Sequence, residues 1–319
     1  MSVNGLKVIF GGAAFILSSV EEVNAWLKVI EELGITTIDT AEGYGGSEEA
    51  LGKAGAASKF IIDTKHTGGF GSQLSSKTNV IESGRTSLEK LKVSDLDVYY
   101  IHSPDRRVPW EDTLSGLNKL YQEGIFKRLG LSNFLAHEVE EIVRVATVNN
   151  FVIPSVYQGN YSAIARRTED EILPVLRKHN ISFYAYSPIA GGFLAKCKAE
   201  LNSPEGRFHK AHPLAKIYNG MYNRSSLVAA LDVWEQIAKD QGVTRAELAY
   251  RWIVYHSQLR GELGDAIIIG ARKEQQLRET AKAMRNGPLS DGIVKRIGEV
   301  WEIVKSEAFL DNFEMMSKW

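Results

Sequence analysis

The chain has 319 residues, of which 44% are apolar and 24% charged, close to the average of a soluble globular protein. Its 38 basic and 39 acidic side chains leave a formal charge of −1, which argues against nucleic acid or an anionic membrane as the main partner. One cysteine, Cys197, excludes an internal disulfide framework and any multi-cysteine metal site. No stretch reaches ~18 consecutive apolar residues and the N-terminus lacks a long apolar run. The expectation is a cytoplasmic enzyme or small-molecule binder.

In chain order, short apolar or β-branched runs predict strands at 8–11, 36–40, 60–65, 96–102, 126–132, 154–160, 182–188 and 266–270. Most are continuous rather than alternating, as parallel strands covered on both faces require. Amphipathic stripes lie between them. Val23, Trp26, Leu27, Ile30 and Leu33 follow helical spacing, with Ser19 and Glu22 placed for a capping box. Further stripes run through Val80–Leu91, Leu114–Tyr121 before Gly124, Val139–Ala146 and Ile172–Leu176. Successive strand starts are 24 to 36 residues apart up to the seventh and 84 apart thereafter. A strand–helix–strand crossover takes about 30 residues, and eight such units close as a (β/α)8 TIM barrel.

The whole chain, 1–319, is expected to form one such domain, with an insertion between strands 7 and 8 at about 191–256. The first part of that insertion, Gly191 to Ser226, reads as a loop. Helical stripes follow around Leu231–Trp234–Ile237 and Leu248–Trp252–His256. A C-terminal extra helix and an aromatic tail are expected at about 290–319. An open doubly wound sheet is the rival. Gly11–Gly12 opens no dinucleotide fingerprint, however, and Gly69-Phe70-Gly71 lacks a third glycine.

Barrel chemistry is built at the C-terminal strand ends. In order these are Asp39, Lys65, His102, Ser132–Asn133, Gln158, Tyr186–Ser187 and Gly270, with Tyr44 five residues beyond Asp39. A phenol titrates near 10, and a nearby ammonium such as Lys65 would lower that value, with Asp39 holding the lysine in place. His102 can donate to a carbonyl oxygen. Together these groups suit proton delivery to an oxygen that is becoming an alkoxide. Taken singly, each has a structural reading: an ion pair across the barrel mouth, an edge aromatic, a satisfied core histidine. His209-x-x-His212 lacks a third ligand, and the lone thiol Cys197 reads as incidental.

The stretch IDTAEGYGGSEEALG at 38–52 resembles the signature of the aldo-keto reductases. The segments ending in Lys65 (IIDTK) and His102 (VYYIH), then GLSNF, YQGNYS and YAYSPIAGG, continue the match in order. Within that superfamily YHSQLRGELGDAIIIG, IPSVYQGNYS and PEGRF are most similar to the aflatoxin-aldehyde and succinic-semialdehyde reductase branch.

The resemblance implies NADPH-dependent reduction of a small-molecule carbonyl. Tyr44 would be the proton donor, Asp39 and Lys65 its tuners, and His102 the carbonyl-orienting donor. Ser132, Asn133 and Gln158 would hold the nicotinamide carboxamide, with Tyr186 stacked on the ring and Ser187 and Gly191 beside it. Gly270, Arg272 and Gln276, with Lys273, would form the NADP⁺ 2′-phosphate site, and Arg207 would reach the diphosphate.

In the substrate part, Tyr218 and Met221 occupy a stretch where related reductases carry a carboxylate-binding arginine. Met221 stands in its place, and Arg224 is the nearest alternative. A neutral substrate is therefore expected. A homodimer follows only by analogy. A channel-β-type regulatory subunit and a cyclase or dehydratase using the same site are the rival functions.

Overall fold

The computed structural model describes residues 1–318 apart from Asn202, Pro204, Glu205 and Pro213. The first two residues of the PEGRF motif and the terminal Trp319 thus lie outside the described residues.

Strands β1 (Ser2–Val3) and β2 (Leu6–Gly11) form an antiparallel hairpin. Its turn residues, Asn4 at φ 50° and Gly5 at φ 77°, are both left-handed, which is the conformation that matches strand twist in a two-residue hairpin. After β2 come β3 (Thr37–Asp39), β4 (Ile61–His66), β5 (Leu96–Ile101) and β6 (Phe126–Ser132). The series ends with β7 (Pro154–Asn160), β8 (Ser182–Tyr186) and β9 (Ala266–Ile269). Strands β2 to β9 pair in parallel with their neighbours, and β2 pairs with β9 from Lys7↔Ala266 to Phe10↔Ile269. The sheet is a closed (β/α)8 barrel, as expected.

Its inside is filled by Ile9, Val98, Tyr100, Val156, Tyr184, Ala266 and Ile268. A larger apolar layer lies between the strands and the surrounding helices. Those helices are α1 (Val20–Glu32), α2 (Ser47–Lys53), α3 (Lys77–Leu91), α4 (Trp110–Gln122) and α5 (Ala136–Val148). The stripe around Ile172 is broken into α6 (Arg167–Glu171) and α7 (Leu173–Lys178), with Pro174 opening the second. Ser19 and Glu22 do form the capping box of α1.

The insertion departs from expectation in one respect. Within the stretch read as a loop lies α8 (Ala215–Tyr222), followed by α9 (Ser225–Gln241) and α10 (Arg245–Tyr255). Ala215, Tyr218, Met221 and Tyr222 are all buried, at spacings that share one helical face. After β9 come α11 (Glu274–Ala283), α12 (Asp291–Val304) and α13 (Asn312–Met316). Asp311 caps α13 by accepting from Glu314 N at 2.7 Å. Gly220 of α8 is where the tail docks: a Cβ there would fall 2.5 Å from Met315 Sδ. The aromatic tail is therefore packed against α8, and Asn312 borders the cleft above the barrel.

Candidate active site

The C-terminal strand ends open into a cleft of about 1580 Å³, larger than the ~300–1,000 Å³ of ordinary small-molecule pockets. Asp39, Tyr44 and His102 line its floor. Lys65 lies directly beneath, its side chain fully buried. The Lys65 ammonium donates to Asp39 Oδ2 at 2.6 Å and to Thr40 O at 2.7 Å. It also lies 5.0 Å from the centre of the Tyr44 ring. The Tyr44 and His102 rings meet edge-on at 5.6 Å. The four expected residues are brought together as a group.

The electrostatics differ from the sequence expectation at one point. Tyr44 is not lowered: burial raises its phenol above the ordinary value, and the Asp39 carboxylate raises it further. The Lys65 ammonium is paired with Asp39, and its pull on the phenol does not outweigh burial. Tyr44 therefore holds its proton at neutral pH, as a donor must. His102 is pushed the other way, well below the ordinary imidazole value, by burial and then by Lys65 and His66. It is a neutral ring. Its Nδ1 is buried with no hydrogen-bond partner among the described residues.

The expected cofactor residues line the adjoining wall: Ser132, Asn133, Gln158, Tyr186, Ser187, Gly191, Arg207, Gly270, Arg272 and Gln276 all border the cleft. Tyr186 OH donates to Asn133 Oδ1 at 2.8 Å, and Asn133 Nδ2 donates to His102 O at 2.9 Å and Ser132 Oγ at 3.2 Å. Gln158 Nε2 donates to Asp39 Oδ1 at 2.9 Å. Asp39 thus joins the wall to the ion pair through its second oxygen. Gly191, at φ 65°, leaves room for Tyr218, whose Cε1 would be 2.0 Å from a Cβ at that position. A Cβ on Gly270 would meet nothing within 4 Å, so its backbone borders open space. Gln276 Oε1 accepts from the amides of Arg272 at 3.1 Å and Lys273 at 3.2 Å, shaping the turn before α11. Lys273 itself does not reach the cleft lining.

On the insertion, Arg207 Nη1 donates to Tyr218 OH at 2.8 Å and its guanidinium lies 5.0 Å over that ring. Tyr218 borders the cleft, but Met221 does not. It is 1% exposed and belongs to the core behind α8, which corrects its assignment to the substrate. The helix missed in this stretch buries Met221 on the face it shares with Tyr218, and of the two only Tyr218 reaches the cleft lining. Arg224 is no substitute for the missing arginine. It points to the C-terminal segment, 4.0 Å from Glu307 and 5.0 Å over Phe309.

Sequence reasoning passed over Phe70, whose ring meets His102 edge-on at 5.1 Å and Phe313 at 5.4 Å. Its signal was the glycine run around it. A Cβ on Gly68 would lie 2.1 Å from Ser103 O and one on Gly69 2.2 Å from Pro104 O, so only glycine lets this loop press against the end of β5.

The model of the aldo/keto reductase family matches residues 7–302. The chain belongs to the aldo/keto reductase family. It is 37% identical over 292 residues to an oxidoreductase, sirO, of Leptosphaeria maculans, covering 91% of this chain and 88% of the relative. It is 37% identical to human aldo-keto reductase family 7 member A3, over 86% of this chain and 87% of that one. It is 36% identical to rat aflatoxin B1 aldehyde reductase member 2, over 89% and 81%. These likenesses place this oxidoreductase in the aflatoxin-aldehyde reductase branch and support a nicotinamide cofactor and carbonyl reduction. Among the described residues no helix is long and apolar enough to cross a membrane, and no group of three or more His, Cys, Asp or Glu is set to hold a metal ion.

Proposed function

We propose that this reductase converts a neutral aldehyde or ketone to an alcohol with NADPH, Tyr44 giving the proton. The observation that carries the reading is the buried Asp39–Lys65 pair under Tyr44 and His102 on the floor of a cleft of about 1580 Å³. When bound, the nicotinamide supplies the hydride. The chain supplies position and charge. The Tyr44 hydroxyl and the His102 ring present two polar groups to one carbonyl oxygen. As charge grows on that oxygen the Tyr44 proton moves to it, and the Lys65 ammonium stabilises the phenolate left behind. Tyr186 offers a flat face for ring stacking, with Ser132, Asn133 and Gln158 as its polar border. Asn133 and Gln158 keep acceptor or donor capacity beyond the bonds they make within the protein.

Preference for NADPH rests on Arg272, whose planar fork suits a phosphate monoester, beside Gln276 and Gly270. Preference for a neutral substrate rests on α8, where Met221 is buried, and on Arg224, which points to Glu307. A substrate carboxylate buried without a partner would lose several kcal/mol. The name of the rat relative, an aflatoxin B1 aldehyde reductase, points to aldehydes as the class.

The test is consumption of NADPH and NADH with aromatic aldehydes, diketones and succinic semialdehyde. Oxidation of NADPH by the neutral carbonyls, with succinic semialdehyde slowest, is expected. Equal turnover of succinic semialdehyde and a neutral aldehyde of similar length would refute the neutral preference. Tight NADPH binding with no carbonyl turnover would replace the reading by the regulatory or cyclase one.

A further inference from the structure

Between β2 and α1 the chain makes a tight turn over Phe15–Ser18, closed by Ser18 N donating to Phe15 O at 3.0 Å. Ile16 sits at φ −57°, ψ 120° and Leu17 at φ 60°. These are the angles of a type II turn, whose third position calls for glycine or asparagine. A leucine there is unfavourable for the backbone, and nothing in the fold repays it: the Leu17 side chain is 80% exposed. The turn is nonetheless held firmly. Phe15 is buried against Phe10 with ring centres 5.4 Å apart, Leu17 N donates to Gly45 O at 3.1 Å, and Ser19 begins the capping box of α1.

Position is what distinguishes this residue. Among the described residues Leu17 is the one strongly exposed large apolar side chain that borders the active-site cleft. Ala13, Ala14 and Ile16 continue its apolar wall, and a Cβ on Gly45, beside Tyr44, would lie 3.9 Å from its Cδ2. A side chain disfavoured by its backbone and by water, yet fixed at the cleft edge, is suited to being covered by a ligand.

We infer that Leu17, with Ile16, is a specificity-determining residue: it covers the apolar chain or ring that extends from the carbonyl of the substrate toward the cleft mouth. The inference rests on the carbonyl-reductase reading of the site and narrows its substrate to carbonyls bearing an extended apolar group. Complete burial of one methylene is equivalent to about fourfold in affinity, so chain length is the natural probe.

The experiment compares wild type with Leu17→Gly and Leu17→Asn on straight-chain aldehydes from propanal to decanal, with saturating NADPH. Glycine and asparagine both fit the turn, so folding is preserved or improved and a rise in Tm accompanies Leu17→Gly. For wild type, kcat/KM should climb with chain length. In both variants the loss should grow along the series, reach about tenfold at decanal, and fall on KM rather than kcat. A wild type indifferent to chain length, or a loss of equal size from propanal to decanal, would overturn the inference. Binding of the matching alcohols to the NADP⁺ complex, followed by calorimetry, gives a readout independent of turnover. If no aldehyde is reduced, the reductase reading falls. The calorimetric series then decides the role of Leu17 alone: length-dependent affinity lost in Leu17→Gly supports it, and its absence in wild type refutes it.

Discussion

Replacing Asp39 by alanine tests the site at the point where its parts join. Asp39 Oδ2 accepts from Lys65 and Oδ1 from Gln158, at 2.6 and 2.9 Å. The substitution leaves a lysine whose side chain is 0% exposed with Thr40 O as its remaining partner. Removing one member of a buried pair costs about 3–5 kcal/mol, because the charge left behind is uncompensated. Unfolding entropy of ~2.1 cal/mol/K per residue over 319 residues amounts to about 0.7 kcal/mol/K. The expected fall in Tm is therefore about 4–8 °C, read by calorimetry on the chain without ligand. The double variant Asp39→Ala/Lys65→Met removes the stranded charge. It should be more stable than Asp39→Ala alone, although two residues are changed rather than one. A fall below about 2 °C in the single variant, or effects that simply add in the double one, would refute the account of the pair as mutually dependent.

Tyr44→Phe should lower kcat by about 10²–10⁴ while cofactor affinity, followed by fluorescence, stays within about twofold; wild-type turnover would remove Tyr44 from the role of acid. Because burial and Asp39 raise the Tyr44 phenol, kcat/KM of the wild type should show no loss attributable to this group between about pH 6 and pH 9. Asp63, inside the barrel, is pushed up to about 7 by burial and then by Asp97. The folded chain keeps a proton there that the unfolded chain releases above its ordinary 3.8, so this contribution weakens as pH rises from about 4 to about 7. Asp63→Asn should flatten that slope and gain relative to wild type at pH 8 over pH 5; urea midpoints at the two pH values check it, and parallel shifts would exclude it. Gly191→Ala, which combines φ 65° with a Cβ on top of Tyr218, should weaken cofactor binding about tenfold or more, and unchanged affinity would show that the Arg207–Tyr218 pair plays no part.

Legibility in the sequence followed the strength of the local signal. The barrel strands lie within two residues of their apolar runs, because buried parallel strands admit little else. The catalytic four were legible as polar residues in places where apolar ones belong. The hairpin at Asn4-Gly5 was missed although its turn dipeptide is a strong one, since β1 is two residues long and offers no period. Helix α8 was hidden for a related reason. Asn219 and Gly220 lower its helix propensity, and the glycine is there to admit Met315 from a segment nearly a hundred residues away. That tertiary contact outweighed propensity and, by turning Met221 inward, misplaced one residue of the expected substrate wall. The charge balance at Tyr44 was not legible either. It depends on how closely Asp39 holds Lys65, a distance that spacing along the chain does not encode.

The closure of β2 onto β9 has a consequence for how the chain reaches this state. The first and last barrel strands are partners, so the ring has no final seam until more than 260 residues have been made and the insertion has been placed. Before then β2 and β8, the strands that β9 joins, carry open edges of unpaired amides and carbonyls, the pattern most prone to pair with another molecule. Polypeptide stopped short of Ala266 is in the same condition permanently. The late-made end of the chain thus protects the early-made one, and conditions that slow its arrival should first appear as aggregation rather than as lost catalysis.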